Sequence, residues 1–251
     1  MSQSSSNCKN KNNDGLSGEN GNHSSQITKQ SINGTVERYR ITRQSVKEHI
    51  RGVNREGKLI ILFGPMFSGK TTHLINKLVT AHDVGHRVIY INHSLDNRPS
   101  YDDAASSHHS IFDKLPKSIT ATKTSTLSSI DVNEYDIIGI DEGQFFTDLE
   151  STVREWVLHN GKMVIIASLD GKADVTSFGQ AHELICIAEK IKKLPAVCMN
   201  CMKDKCEIRT KPAYFTYRTT TDKGDVVIGG VDKYIAVCLS CHQKLTQLAQ
   251  L

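Results

Sequence analysis

Runs of apolar residues recur through the middle of the chain and are separated by polar or amphipathic stretches. Each run is short and nearly continuous, which is typical of strands buried on both faces of a parallel sheet. The clear runs are Leu59–Phe63, Arg87–Asn92, Asp136–Ile140 and Met163–Leu169, and a weaker signal lies around 119–127. We predict a strand at each of these places.

Two stretches between these strands have the spacing of amphipathic helices. Thr71–Val84 is predicted as one helix, which ends at Gly85, and Phe146–His159 as another, which ends at Asn160-Gly161. Strands that alternate with helices indicate an α/β domain whose parallel sheet is covered by helices on both faces. We place this domain at residues 58–194.

The two ends of the chain differ from this central domain. Residues 1–34 are rich in Ser, Asn, Gln and Gly. Because this segment lacks the apolar surface that would offset the entropy lost on ordering, we predict that it is disordered. The basic stretch Val36–Gly57 completes a tail and leader, 1–57; it is interpreted as solvated or, alternatively, as a targeting or partner-binding segment. Cysteines, threonines and short strands near the end predict a small second domain, 195–251, with a C-terminal helix.

Composition narrows the classes of function. The chain has 251 residues, and its formal net charge of +4 does not indicate a nucleic-acid-binding protein. No stretch is long and apolar enough to cross a membrane, and the N-terminus lacks the apolar core of a secretory signal. Seven cysteines without such a signal indicate a reducing compartment. We therefore expect a cytoplasmic protein, or alternatively a nuclear one, that binds neither nucleic acid nor membranes.

The clearest chemical signal follows the first predicted strand directly. Its glycines allow backbone N–H groups to turn inward around phosphate oxygens, Lys70 can reach the terminal phosphates, and the Thr71 hydroxyl can bind Mg²⁺. The predicted helix that follows adds its N-terminal dipole. The loop therefore predicts binding of a nucleoside triphosphate with Mg²⁺. It consists of Gly64, Pro65, Met66, Phe67, Ser68, Gly69, Lys70 and Thr71.

A pair of carboxylates, Asp141-Glu142, closes the predicted strand Asp136–Ile140. Ligands of open parallel sheets bind at the carboxyl ends of the strands, so both side chains are expected to face the phosphate loop. Asp141 is the candidate Mg²⁺ ligand. Glu142 could accept the proton of an attacking hydroxyl, or it could be a solvated charge at the end of a strand.

Four cysteines have the spacing of a metal site. Cys198 and Cys201 form one Cys-x-x-Cys pair, and Cys238 and Cys241 form another about 36 residues later. Two such pairs complete a tetrahedral Cys₄ site with no open position, which indicates structural Zn²⁺, although four thiols without metal are the alternative. Cys206, Cys186 and His242 are left over, and Cys186 is interpreted as a core residue because its surroundings are apolar.

Taken together, these motifs resemble the thymidine kinase family of the cytosolic, zinc-containing type. The resemblance covers roughly 58–243 and rests on Gly64–Thr72, Ile140–Phe146, Leu169-Asp-Gly171, the two cysteine pairs and Val227-Ile-Gly-Gly230 between them. It implies a P-loop, RecA-like parallel sheet followed by a zinc-binding lasso domain. It also implies transfer of the γ-phosphate of ATP-Mg²⁺ to the 5′-hydroxyl of thymidine and deoxyuridine, in salvage of DNA precursors. Glu142 would then be the general base.

The resemblance also implies which residues contact the two substrates. To the phosphate site it adds Asp96, Asn97, Arg98, Asp141, Gly143 and Gln144. Around the base it implies apolar walls from Met66, Phe145, Leu169 and Phe178, with Ala173 beside them. The lasso and its flanks would contribute Thr216, Asp225, Val226, Val227, Ile228, Gly229 and Tyr234.

Two features depart from the family pattern. The family often has an aromatic residue against the base where this chain has Ala173, so stacking is expected to weaken by about 1 kcal/mol. The segment 202–212 is longer than usual, which leaves Thr210 as a rival of Thr216 for the contact with the base.

The resemblance further implies a homotetramer and feedback inhibition by thymidine triphosphate. A different class of function is a zinc-bearing ATPase or nucleic-acid-binding module that uses the basic segment Arg38–Arg55. That segment has Tyr39 as its one aromatic residue, whereas such a module would interleave several with its basic residues. A regulatory or scaffold variant is disfavoured because the residues expected to be catalytic are intact.

Overall fold

The structure is a computed structural model that describes residues 56–96, 115–203, 211–220 and 229–249. Its centre is a six-stranded sheet in the order β3-β2-β4-β5-β1-β6, in which every pair of neighbours is parallel. The strands are β1 Lys58–Phe63, β2 Val88–His93, β3 Thr120–Thr124, β4 Ile137–Asp141, β5 Met163–Ser168 and β6 Lys190–Lys193. The predicted parallel α/β sheet is confirmed.

Helical elements lie against both faces of this sheet. They are α1 Lys70–Asp83, a 3₁₀ turn Gly143–Phe145, α2 Leu149–Arg154, a π-helical turn Glu155–His159 and a 3₁₀ helix Ala181–Ile187. On one face, Ile138 and Ile140 of β4 pack in a cluster that contains Leu149 of α2. On the other face, Ile137 packs in a cluster with Leu78 of α1. Alternate residues of a strand thus serve two cores, which explains the continuous apolar runs.

The helix predicted over Phe146–His159 is shorter than expected and ends in a wider turn. Phe146 has extended backbone and is almost completely buried, so the α-helix begins only at Leu149. At the other end the N–H of Asn160 bonds to the carbonyl of Glu155 at 3.0 Å, which closes the π-helical turn. This turn allows the consecutive side chains Trp156 and Val157 both to be buried.

Strand β6 was not predicted, although it pairs with β1 along one edge of the sheet. Its four residues are all exposed, and three of them are lysines. An edge strand of this kind carries no apolar run, and its charges are typical of protection against edge-to-edge pairing.

The part of the chain after residue 195 forms two small antiparallel ladders. Its elements are β7 Ala196–Val197 paired with β8 Pro212–Ala213, β9 Phe215–Arg218 paired with β10 Tyr234–Val237, and the helices α3 Met199–Lys203 and α4 Leu239–Leu248. Apolar residues of these elements pack around four cysteines in a small cluster of their own. The division into domains 58–194 and 195–251 stays a proposal, and the predicted tail lies outside the described residues apart from positions 56 and 57.

Within the described ranges, none of the helices combines the length and the apolar character that a bilayer crossing requires.

Gly139 of β4 faces α1, and a Cβ placed there would lie 2.4 Å from Cδ1 of Leu78. We expect Gly139→Ala to lower the free energy of unfolding by about 1–3 kcal/mol through overpacking. Leu78→Ala should lower it by about 2–5 kcal/mol through a cavity. In the double variant the shortened side chain makes room for the added methyl, so the combined loss should be smaller than the sum.

Denaturant unfolding of the wild type, both single variants and the double variant measures this coupling. Losses that add without any coupling would show that the two positions do not compete for one space.

Candidate active site

The loop between β1 and α1 turns tightly and delivers the N-terminus of α1 to the carboxyl end of the sheet. Gly64 has φ of 154°, and a Cβ there would lie 2.4 Å from the carbonyl oxygen of Leu194. Gly69, at φ of 76°, is the left-handed residue directly before α1. The Lys70 ammonium donates to the carbonyl of Pro65 at 2.8 Å, so its charge lies against the loop.

Asp141 is the point at which this loop meets the sheet. Its side chain is almost fully buried and accepts hydrogen bonds on both oxygens. The Thr71 hydroxyl donates to Oδ1 at 3.1 Å, and the Tyr90 hydroxyl donates to Oδ2 at 2.9 Å. Burial, and then the charge of Asp141, raises the pKa of Tyr90 far above its usual value, so the phenol stays protonated and donates. A hydroxyl beside a carboxylate is a fitting pair of hard oxygen ligands for Mg²⁺.

The loop also contains a polar atom that fits a phosphate. The Ser68 hydroxyl is buried, and within the described parts of the chain it has no hydrogen-bond partner. It lies so close to Gly64 that a Cβ at that position would be 2.6 Å from its oxygen. Buried hydroxyls rarely stay unpaired, and a phosphate oxygen in the loop would accept this bond.

Glu142 follows Asp141 in an unusual backbone conformation. Its φ of 53° and ψ of 41° lie in the left-handed region, which costs about 1–3 kcal/mol for a residue that is not glycine. The Gln144 amide donates to Oε2 of Glu142 at 2.6 Å. Strain that is held in place by a dedicated side chain is typical of a functional position.

The orientation of Gln144 is set by its other contacts. Its carbonyl oxygen accepts from the N–H of Leu169 at 2.9 Å and from the Ser168 hydroxyl at 3.3 Å. The NH₂ group must therefore face Glu142. Gly143 lies beside it against β5, where a Cβ would come 2.8 Å from Cγ2 of Ile166. The sequence indicated Gly143 and Gln144 as phosphate-site residues, and the structure places Gln144 against the carboxylate.

Several of the predicted apolar walls lie together. The rings of Phe145 and Phe178 meet edge to face with centroids 5.8 Å apart, and the Lys172 ammonium lies 6.0 Å from the Phe178 centroid. Leu169 is tied to the same place by its bond to Gln144. Phe145 follows closely after Glu142 in sequence. The half-buried aromatic corner that it forms with Phe178 has the character of a site for a planar base.

Ala173 lies in a turn beside this corner. The N–H of Lys172 donates to the carbonyl of Thr176 at 2.9 Å, and Asp174 accepts from the hydroxyl of Thr176 at 2.6 Å and from its N–H at 3.0 Å. These bonds from Thr176 lower the pKa of Asp174. Nε2 of His242, on α4, lies 2.9 Å from the carbonyl oxygen of Ala173 and donates to it, so the turn is anchored to the cysteine-rich part of the chain.

Thr216 links the cysteine-rich part of the chain to the phosphate loop. The N–H of Met66 donates to the Thr216 hydroxyl oxygen at 3.0 Å. Tyr234, one strand away on β10, is buried, and the Arg218 guanidinium lies 5.9 Å from its ring centroid. Gly229 packs against Lys233, where a Cβ would come 2.6 Å from Cδ.

Asp96 also lies at the carboxyl ends of the strands, just beyond β2. The Asn92 amide donates to Oδ2 of Asp96 at 3.0 Å, and the Lys123 ammonium donates to its carbonyl at 2.8 Å. The remaining predicted contacts fall outside the described residues. These are Asn97, Arg98, Thr210, Asp225, Val226, Val227 and Ile228.

The four paired cysteines form one cluster, with all their sulfurs within 4.8 Å of one another. Sγ of Cys201 lies 3.5 Å from that of Cys241 and 4.0 Å from that of Cys238. Tetrahedral Zn²⁺ with bonds of about 2.3 Å sets sulfurs about 3.8 Å apart. The N–H of Cys238 and the amide of Asn200 also donate to sulfurs of the cluster, at 3.2 and 3.4 Å. The donor set therefore fits a structural zinc ion.

Some residues at the site escaped sequence analysis. Tyr90 lies in the predicted strand Arg87–Asn92, but its hydrogen bond to Asp141 was not predicted. His93 follows that strand and was given no role, although it is buried. His242 was left over, although its position directly after a predicted metal ligand was a usable signal. The interpretation of Cys186 as core was wrong. It is exposed on the 3₁₀ helix, because the buried positions Ala181 and Leu184 repeat every three residues and leave Ile185 and Cys186 facing outward.

Comparison with known proteins agrees with these motifs. The family model described as "TK: Thymidine kinase" matches residues 57–242. The chain is 38% identical over 188 residues to "Thymidine kinase 1" of Dictyostelium discoideum, which covers 74% of this chain and 78% of that protein. It is 37% identical over 187 residues to "Thymidine kinase" of Raccoon poxvirus, covering 74% and 97%. It is 34% identical over 189 residues to "Thymidine kinase, cytosolic" of Bos taurus, covering 75% and 73%. The chain therefore belongs to the thymidine kinase family.

Proposed function

We propose that this protein transfers the γ-phosphoryl group of ATP to the 5′-hydroxyl of thymidine and of deoxyuridine. The observation that carries the proposal is the bond between the Thr71 hydroxyl and Asp141, because it joins the phosphate loop to the carboxylate pair. The names of the relatives support thymidine as the phosphoryl acceptor. This support is needed because a phosphate loop alone does not separate a nucleoside kinase from an ATPase.

The phosphate side of the site is made from the loop and the strand ends around it. Backbone N–H groups of the loop and the N-terminus of α1 bind the phosphate oxygens, and Lys70 moves from Pro65 toward the terminal phosphates. Thr71 and Asp141 would hold Mg²⁺, which when bound would neutralise charge on the phosphate oxygens. Asp96, Asn97 and Arg98 are proposed to complete this side.

Glu142 is the proposed general base. As the 5′-hydroxyl oxygen attacks the γ-phosphorus, its proton passes to the Glu142 carboxylate. The bond between the γ-phosphorus and the oxygen that bridges to the β-phosphate breaks, and ADP leaves with that oxygen. The bond from Gln144 holds the carboxylate in one orientation during this step. Since positioning accounts for most of the catalysis in phosphoryl transfer, that bond should matter for kcat.

The base is proposed to lie in the aromatic corner of Phe145 and Phe178, with Met66 and Leu169 beside it. The Thr216 hydroxyl uses its oxygen to accept from Met66, so its proton is the group proposed to donate to the base. Ala173 offers no ring, and weaker stacking here stays a prediction. The lasso is proposed to read the base edge through backbone groups of Asp225, Val226, Val227, Ile228 and Gly229, and Tyr234 is proposed to contribute to the same pocket.

Family membership also supports proposals about the assembled protein. We infer a cytoplasmic homotetramer that contains structural zinc and is inhibited by thymidine triphosphate. The base of that inhibitor would occupy the thymidine pocket while its phosphates reach the loop that binds ATP.

One prediction of this proposal concerns the general base. Glu142→Gln keeps the size of the side chain and a hydrogen bond to Gln144, but it cannot take a proton. We expect kcat for thymidine to fall by about 10²–10⁴-fold. The control is Glu155→Gln, at an exposed carboxylate of the π-helical turn, which should leave kcat unchanged. A Glu142→Gln enzyme that keeps its kcat within about threefold would refute the assignment.

A second prediction concerns the contact with the base. Thr216→Ala should raise KM for thymidine by about five- to tenfold, because it removes a buried hydroxyl. Thr210→Ala is the matched control and should leave KM unchanged. Steady-state kinetics with both variants decides between the two residues, and a loss confined to Thr210→Ala would overturn the assignment of Thr216.

A third prediction concerns the metal. We expect one zinc ion per chain, and Cys241→Ser should lower the zinc content and the melting temperature because it removes one of four ligands. Cys186→Ser is the matched control and should keep all of the zinc, since this thiol is exposed and outside the cluster. Elemental analysis of purified protein measures the content. A wild type purified without chelator that carries no zinc would contradict the structural role.

A further inference from the structure

His93 is a buried histidine at the carboxyl end of β2 to which the proposed function gives no role. It is 4% exposed, although it lies at the rim of the site and not in the middle of the sheet. A buried histidine at a strand end needs partners for both ring nitrogens. Its partners lie on two different sides of the site.

The nitrogens of the ring hold the loop that carries Asp96. The N–H of Leu95 donates to Nδ1 of His93 at 3.0 Å, so the ring proton must be on Nε2. Burial lowers the pKa of His93, while the bond to Ser125 and the charge of Asp148 partly offset this effect. The ring is therefore neutral at neutral pH, as the bond from Leu95 requires.

The same loop is held at further points. The N–H of Asp96 bonds to the carbonyl of His93 at 3.0 Å, and the N–H of His93 bonds to the side-chain oxygen of Asn92 at 2.8 Å. Together with the bond from Lys123 to Asp96, these contacts fix the backbone at the start of the proposed phosphate-side loop. His93 is the member of this set that also reaches the aromatic residues.

The face and edge of the ring contact two phenylalanines. The centroid of His93 lies 4.6 Å from that of Phe146 in an edge-to-face arrangement and 5.6 Å from that of Phe145 at 49°. Phe146 is core, whereas Phe145 is half-buried and forms the aromatic corner with Phe178. The ring therefore limits how far Phe145 can move away from that corner.

We propose that His93 is a positioning residue that sets the Leu95–Asp96 loop on the ATP side and the Phe145 ring on the thymidine side. The inference rests on the proposed function, because that function assigns the two sides to the two substrates. The two roles belong to different atoms of the side chain: Nδ1 accepts a hydrogen bond from the loop, and the ring surface contacts Phe145.

Two substitutions distinguish the hydrogen bond to the loop from the contact with Phe145. His93→Asn keeps an acceptor near the position of Nδ1 and removes most of the ring, so KM for thymidine should rise about fivefold while KM for ATP stays within about twofold. His93→Phe keeps a ring and removes the acceptor, so KM for ATP should rise about fivefold while KM for thymidine stays within about twofold. His159→Asn and His159→Phe, at an exposed histidine of the π-helical turn, are the matched controls.

Melting temperatures of all variants are measured beside the kinetics and beside calorimetric Kd values for ATP-Mg²⁺ and thymidine. A lower melting temperature alone, with both KM values unchanged or raised equally, overturns the inference and leaves His93 as a core residue. If one variant does not fold, the other decides, because each has its own expected split. A wild type that makes no thymidine monophosphate refutes the proposed function and with it the thymidine half of the inference. The Kd for ATP-Mg²⁺ then decides the other half.

Discussion

Asp141 carries a negative charge that is almost entirely removed from water, and the rest of the site is arranged around this charge. Burying a carboxylate costs several kcal/mol unless hydrogen bonds and opposite charge compensate. Thr71 and Tyr90 provide two of those bonds, and the N–H of Glu142 provides a third at 3.1 Å. The same carboxylate thereby fixes the first turn of α1 relative to β4. A cation bound beside Thr71 would place opposite charge next to this carboxylate.

The parallel sheet explains why residues far apart in sequence meet at this charge. Strands β1, β2, β4 and β5 all run in one direction. The phosphate loop, Asp96, Asp141 and Leu169 therefore all lie at the carboxyl ends of these strands. Gln144 spans two of these strand ends through its bonds to Glu142 and Leu169. The cysteine-rich part contacts the loops at these strand ends through Thr216 and His242. The four-cysteine cluster thus lies among elements that hold the walls of the proposed pocket, and a zinc ion bound there would stabilise these elements.

Much of this arrangement could be predicted from sequence, because the strands have two buried faces and the motifs have fixed spacing. The continuous apolar runs gave β1, β2, β4 and β5, and the cysteine spacing gave the cluster. Edge strand β6 was not predictable, since its lysines carry no pattern. The π-helical turn depends on how Trp156 and Val157 pack, and the partner of Gln144 depends on β5. Such contacts come from the folded chain and leave no local pattern.

The proposed reaction requires that the phosphate loop and the carboxylate pair act on a nucleoside as the phosphoryl acceptor. The most direct measurement follows radiolabel from [γ-³²P]ATP with purified, zinc-loaded protein, Mg²⁺ and either thymidine or deoxycytidine. If the proposal holds, label appears in thymidine 5′-monophosphate, ATP consumption depends on thymidine, and deoxycytidine gives little product. Label released only as inorganic phosphate, at a rate that thymidine does not change and polynucleotide increases, would contradict it.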